Sequence, residues 1–156
     1  MSHFRAKRLV AVPAGVAYAV AVDVAAYREF LPLLEESQIV GAVSEERGTR
    51  MFRAELAVGY SKLRIRERFI STVVCDDVKR TVTATSQEPP FRNMKTTWII
   101  GGSSGQAEVT IEIDYAMRNP LLQLALGGVM ETAVKKVMVA FESRARSVYA
   151  ATSKSI

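Results

Sequence analysis

From residue 51 to residue 117 the chain keeps returning to a period of two. In residues 51–60, Phe52, Ala54, Leu56, Val58 and Tyr60 share one face. Further on, Met94, Thr96, Trp98 and Ile100 alternate in the same way. The cleanest run is Ala107, Val109, Ile111, Ile113, Tyr115 and Met117, interleaved with Glu108, Thr110, Glu112 and Asp114. Such alternation belongs to strands with one buried face. Residues 4–12, 37–44 and 80–86 read as further strands. Polar turns as short as EERGTR, built on Gly48, and GGSSGQ separate the segments. They leave no room for crossover helices, so the sheet is antiparallel. Its apolar face has to be covered by something else in the chain.

One stretch is long enough to supply that cover: NPLLQLALGGVMETAVKKVMVAFESRARSVYA, residues 119–150. Leu126, Met130, Val134, Val137, Phe141, Ala145 and Val148 follow steps of three or four and form one stripe, with Lys135, Glu142 and Arg146 opposite. The uncharged part, residues 119–130, is far shorter than the roughly 20 residues that span a bilayer. The stretch is therefore expected to be one core-facing helix. Gly127 and Gly128 each cost about 1 kcal/mol against Ala and predict a kink or a close approach. Near the N-terminus, PAGVAYAVAVDV places Pro13 at a helix start and Val16, Val20 and Val24 at helical spacing. A second short helix, DVAAYREFLPLL, would be capped by Asp23 and ended by Pro32. The order strand, two short helices, about six strands and a long helix specifies an α+β fold. A single domain over residues 1–150 accounts for it, with residues 151–156 as a disordered tail; 156 residues suffice for one core.

The side chains exclude much chemistry. His3 is the only histidine and Cys75 the only cysteine. No intrachain disulfide, no zinc site of the usual kind and no Ser-His-Asp or Cys-His relay can be assembled from them. Cys75, in STVVCDD, reads as a small apolar strand residue. No metal site is expected. The N-terminal MSHFRAKRLVAV lacks the long apolar run of a signal peptide. The expected location is cytoplasmic. The net charge of +5 favours an acidic partner without choosing among nucleic acid, anionic lipid and protein.

Within KLRIRERF, Lys62, Arg64, Arg66 and Arg68 would share one strand face. They form either a solvated face paired with acids such as Glu55 or a docking patch for anionic lipid or RNA. The aromatics of an RNA-stacking sheet are absent, which favours the paired face. Glu67 falls in register with Leu63, Ile65 and Phe69 on the apolar side. Either it enters the interior, or a bulge or an arginine partner accommodates it. The cost of an unpaired buried charge favours the latter.

Three segments, in order, carry a resemblance. VPAGVAYAVAVDVAAYREFLPLL has a proline-started helix followed by Asp-Val, Tyr and Phe-Leu-Pro. EPPFRNMKTTW has Pro-Phe followed by Trp, and AFESRARSVY has Ala-Phe-Glu-x-Arg-Ala. Over nearly the whole chain the sequence resembles the coenzyme Q-binding branch of the START-like polyketide cyclase and lipid transport proteins. The resemblance implies the helix-grip fold, a curved seven-stranded antiparallel sheet wrapped around the C-terminal helix, with an apolar cavity between them. It implies non-catalytic binding of an isoprenoid quinone such as ubiquinone, in support of respiration, with no cofactor beyond that ligand. It also implies visits to the bacterial inner membrane surface and no specific DNA contact. Relatives described as ribosome-association toxins keep the ribosome open as a partner. Cyclase or aromatase relatives keep an enzyme open, with Glu67 as the acid/base candidate. The family often has Pro-Trp-Cys where this chain has Pro32-Leu33-Leu34. The tip stays apolar and loses its aromatic.

The candidate ligand-binding residues follow. Phe30, Leu31 and Leu33, in the apolar run FLPLL, are either a plug under the sheet edge or a lid at the cavity mouth. Phe91, Trp98 and Tyr115 either line the cavity or are core aromatics. Met130, Val134, Val137 and Phe141 would face it from the long helix, where the small residues Ala125, Gly127, Gly128 and Ala133 leave volume unfilled. Glu67 is the one carboxylate among the candidates.

Overall fold

The structure is a computed structural model that describes residues 2–154. Seven strands form one antiparallel sheet: β1 (Ser2–Val10), β2 (Leu34–Glu46), β3 (Thr49–Tyr60), β4 (Ile65–Asp76), β5 (Thr81–Ser86), β6 (Phe91–Gly102) and β7 (Ala107–Met117). The spatial order is β1-β7-β6-β5-β4-β3-β2. Strands β2 to β7 thus run as a meander, and β1 closes the far edge against β7. Helix α1 (Ala14–Val22) and a 3-10 turn (Val24–Glu29) link β1 to β2, which lie at opposite edges.

Turn chemistry fixes the register. Arg47 and Gly48 both take positive φ, 51° and 79°, between β2 and β3. This is the two-residue mirror-image turn that matches the strand twist. At the β6 end, Gly102 has φ 97°, and a Cβ there would sit 2.2 Å from the Gln106 carbonyl oxygen. Only glycine fits. Register shifts between Leu34 and Glu36 and between Val40 and Ser44 bend β2, the second containing Gly41 at φ 80°.

The C-terminal stretch is two helices rather than the single one its periodicity predicts. Helix α2 covers Pro120–Gly127 and helix α3 covers Met130–Lys154. The break falls at the glycine pair. Asn119 caps α2, its side chain accepting from the Leu121 and Leu122 N–H groups, with Pro120 in the first turn. Helix α3 also runs four residues past the boundary expected at 150; residues 155 and 156 of the expected tail lie outside the described residues. Asp23 precedes the 3-10 turn without capping it through its side chain.

The core fills the space between the sheet, α1 and α3. Ala17, Ala21, Val73, Val109, Phe141 and Ala145 are all at 1% exposure or less. Phe141 stacks on Trp98 of β6 at 4.6 Å between ring centroids. From the middle of α1, the Tyr18 hydroxyl donates to Asp77 Oδ1 at 2.6 Å, and Arg50 Nη2 reaches the same oxygen at 2.7 Å. The Tyr18 hydrogen bond, then Arg50, hold the Asp77 carboxyl below the usual carboxylate range. Burial pushes the Cys75 thiol up, as suits an inert core thiol.

Truncating Phe141 to Ala leaves a void against Trp98 and is expected to cost about 3–5 kcal/mol in urea unfolding. Leu124→Ala, on an exposed face of α2, is expected to stay within about 0.5 kcal/mol. Equal effects at the two positions would contradict this placement of the core.

Candidate functional site: an apolar cavity under the sheet

The helices do not fill the concave face of the sheet. Between them lies a cavity of about 290 Å³, near the small end of the roughly 300–1,000 Å³ common for small-molecule sites. Its walls come from β3 to β7, from Val24, Tyr27 and the 31–34 segment, and from α2 and α3. Two buried clusters flank it. The main core lies on one side, and Phe69, Met94, Tyr115 and Met117 lie on the other. Nearly all of the lining is apolar. The polar exceptions are Glu67, Ser71, Thr96 and the tyrosines Tyr27, Tyr60 and Tyr115.

Nine of the residues singled out from sequence line this one space: Leu31, Leu33, Glu67, Phe91, Trp98, Tyr115, Met130, Val134 and Val137. Two do not. Phe141 sits behind Trp98 at 1% exposure and supports the wall without reaching it. Phe30 turns to the outside of the 3-10 turn, edge-on to Tyr27 at 6.0 Å, with the Arg144 guanidinium 5.1 Å over its ring. Of the small residues expected to leave volume, only Ala133 lines the cavity; Ala125, Gly127 and Gly128 are exposed.

Glu67 overturns the cheaper expectation. The β3–β4 register runs from Thr49↔Asp76 to Tyr60↔Ile65 without a bulge. Alternation therefore carries Glu67 inward together with Ile65, Phe69 and Ser71. It is half-buried and has no hydrogen bond or ion pair with any described residue. The arginines beside it face outward and are already engaged. Arg66 pairs with Glu35 at 3.1 Å, and Arg68 with Glu36 at 2.6 Å and Glu55 at 2.9 Å. The expected row of four cations is shorter than the sequence suggests. Lys62 lies in a 3-10 turn (Ser61–Leu63) and Arg64 takes a left-handed conformation, so only Arg66 and Arg68 share the β4 face.

Ser71 escaped the sequence reading, although its place between Phe69 and Val73 in an alternating strand signals an inward hydroxyl. It is fully buried, and its Oγ finds no hydrogen-bond partner among the described residues. The Tyr115 hydroxyl is also buried and lacks a well-formed bond. Burial pushes its pKa up, opposed by the neighbouring Ser2 hydroxyl. Tyr27 is held neutral more strongly, chiefly by burial, and its hydroxyl donates to the Ala21 carbonyl.

The rim is greasy. Leu33 is 38% exposed and takes φ 71°, rare for a branched side chain; its carbonyl accepts from Gly59 N–H at 2.8 Å. On α2, Leu122 and Leu126 pack inward, whereas Leu121 and Leu124 are 77% and 78% exposed. No helix among the described residues is long and apolar enough to cross a membrane.

The model of the polyketide cyclase/dehydrase and lipid transport family matches residues 10–142. The chain belongs to this family. Within it, the chain is 26% identical over 149 residues to the ribosome association toxin RatA of Pseudomonas aeruginosa, covering 95% of this chain and 98% of that one. It is 24% identical over 143 residues to the mitochondrial coenzyme Q-binding protein COQ10 of Dictyostelium discoideum, covering 90% and 67%. Among solved structures, the 18 kDa protein CC1736 of Caulobacter crescentus superposes with a TM-score of 0.80 at 22% identity, covering 96% and 99%. The Zhui aromatase/cyclase of Streptomyces sp. R1128 superposes at 0.78 and 19%, covering 93% of each. A START superfamily protein of Mycobacterium smegmatis reaches 0.77. These likenesses establish the START-like helix-grip fold. The family thus contains binders and cyclases on one architecture, and the site has to decide between them.

Proposed function

We propose that the protein is a non-catalytic carrier of a ring-headed hydrophobic lipid, an isoprenoid quinone such as ubiquinone being the ligand its cavity suits best. The observation that carries this reading is the cavity itself: about 290 Å³ of nearly apolar space, with Glu67 as the one carboxylate among its described lining residues. Cyclisation of a polyketide needs positioned acid and base groups, and one half-buried carboxylate is a meagre set. Binding needs only apolar area, worth about 25 cal/mol per Å² before association costs. The volume suits a ring and the start of a tail. A long isoprenoid chain would leave through the mouth, past Leu33, Phe91 and Met130. Similarity to a coenzyme Q-binding protein supports the same reading.

The mouth would meet a membrane. Leu121, Leu124 and Leu33 offer exposed apolar side chains there, and Lys62 and Arg64 at the β3–β4 turn supply uncommitted positive charge suited to anionic lipid. A second reading, ribosome binding, is favoured by the similarity to RatA across 95% of the chain.

Two measurements test these readings. Protein purified from its own host is expected to release a quinone on organic extraction, at a substantial fraction of one per chain. Extracts carrying no ring lipid, with no uptake on adding one, would contradict the carrier reading. In pelleting assays, binding to anionic vesicles is expected to fall at least tenfold in a Leu121→Ser, Leu124→Ser variant. Binding to large ribosomal subunits that is lost on Lys62→Glu, Arg64→Glu and untouched by the leucine changes would favour the ribosomal reading instead.

A further inference from the structure

The polar groups of the cavity are not equivalent. Ser71 Oγ is fully buried, faces the cavity and lacks a partner among the described residues. A hydroxyl donates or accepts as needed, so it suits a ring oxygen in either oxidation state. Glu67 lies four residues earlier on the same face of β4, about 13 Å along the strand, beside Ile65 and Tyr60 at the turn. It too has no partner among the described residues, because Arg66 and Arg68 face the other side and are held by Glu35, Glu36 and Glu55.

A carboxylate accepts hydrogen bonds and offers none. The two ring oxygens of a quinone also only accept. Set against Glu67, a quinone carbonyl would strip water from the carboxylate and return nothing. The hydroxyls of a quinol donate, and a hydroxyl placed on a carboxylate makes a short charge-assisted bond. A cationic head could also satisfy Glu67. Lys62 and Arg64 stand at the same turn without ion-pair partners among the described residues and oppose it. A neutral hydroxyl is the donor that fits both the carboxylate and its basic surroundings.

We propose that the cavity selects the reduced, hydroxylated form of its ring lipid over the oxidised quinone, and that Glu67 is the residue that discriminates. The inference rests on the ring-lipid reading above and adds the oxidation state of the cargo. No electron transfer by the protein is involved. Selection is a difference in affinity between two forms supplied and consumed elsewhere.

Anaerobic equilibrium dialysis with a benzoquinone carrying one isoprene unit, and with its two-electron-reduced quinol, tests this. The wild-type protein is expected to hold the quinol about tenfold more tightly, the scale of one hydrogen bond to a partly solvated charge. Glu67→Gln keeps the shape and adds a donor, so the ratio should fall to near unity, mainly through gained quinone affinity. Ser71→Ala should weaken both forms alike and leave the ratio unchanged. Equal wild-type affinities, or a ratio that Glu67→Gln does not move, would overturn the selection and leave the ring-lipid reading standing. Failure of both forms to bind would remove both. If Glu67→Gln folds poorly, the wild-type ratio still decides the selection, and a ratio near unity in Glu67→Ala, against one left at the wild-type value, decides the part of Glu67.

Discussion

Everything in this molecule follows from one mismatch of areas. Seven strands present a continuous concave apolar face, and the covering helices cannot reach all of it. Helix α3 buries Val134, Met138, Phe141 and Ala145 against β1, α1 and the centre of the sheet. Toward its N-terminus it gives way at Gly127 and Gly128 to the short α2, and the cover becomes discontinuous. The space left between β3–β7 and this broken cover is the cavity. Close packing elsewhere makes the space persistent, since a packed interior does not relax to fill a gap of that size.

The elements that position the cavity were legible in the sequence because period alone determines them. Alternation in β3, β4, β6 and β7 assigned the inward face, and with it Trp98, Tyr115 and the pocket-facing register of Glu67. The long helix was legible from its stripe, as was the weak point at its glycines. What could not be read was where each local pattern yields to tertiary geometry. The 119–150 stretch has unbroken periodicity, yet the chain divides at Gly127 and Gly128 into two helices where a kink in one was expected. KLRIRERF alternates as a strand, yet Ser61–Leu63 coils into a 3-10 turn and only β4 proper continues. Phe30 and Phe141 show the same limit at the site. Both are aromatic and suitably spaced, but one lies outside the turn and the other lies behind the ring that forms the wall.

Glu67 was the most instructive case. Electrostatic cost argued for a bulge or a partner, and the strand register overrode it: turning one residue outward would displace Ile65, Phe69 and Ser71 as well. Partial exposure at the mouth lowers the cost, and a hydrogen-bonding ligand would lower it further. Ser71 repeats the pattern deeper in. Two unpartnered polar groups on one strand face, in an otherwise apolar space, are costly for stability alone and reasonable if something polar comes to meet them.

The central claim is that a ring lipid enters this cavity and not a surface groove. Methyl-labelled NMR during titration with a short-tailed quinol tests it most directly. The account predicts saturable shifts at Val73, Val82, Val134 and Val137, which line the cavity, with Leu9 and Val78 on the far surface unmoved. Shifts confined to exposed methyls, or none at saturating ligand, would contradict it.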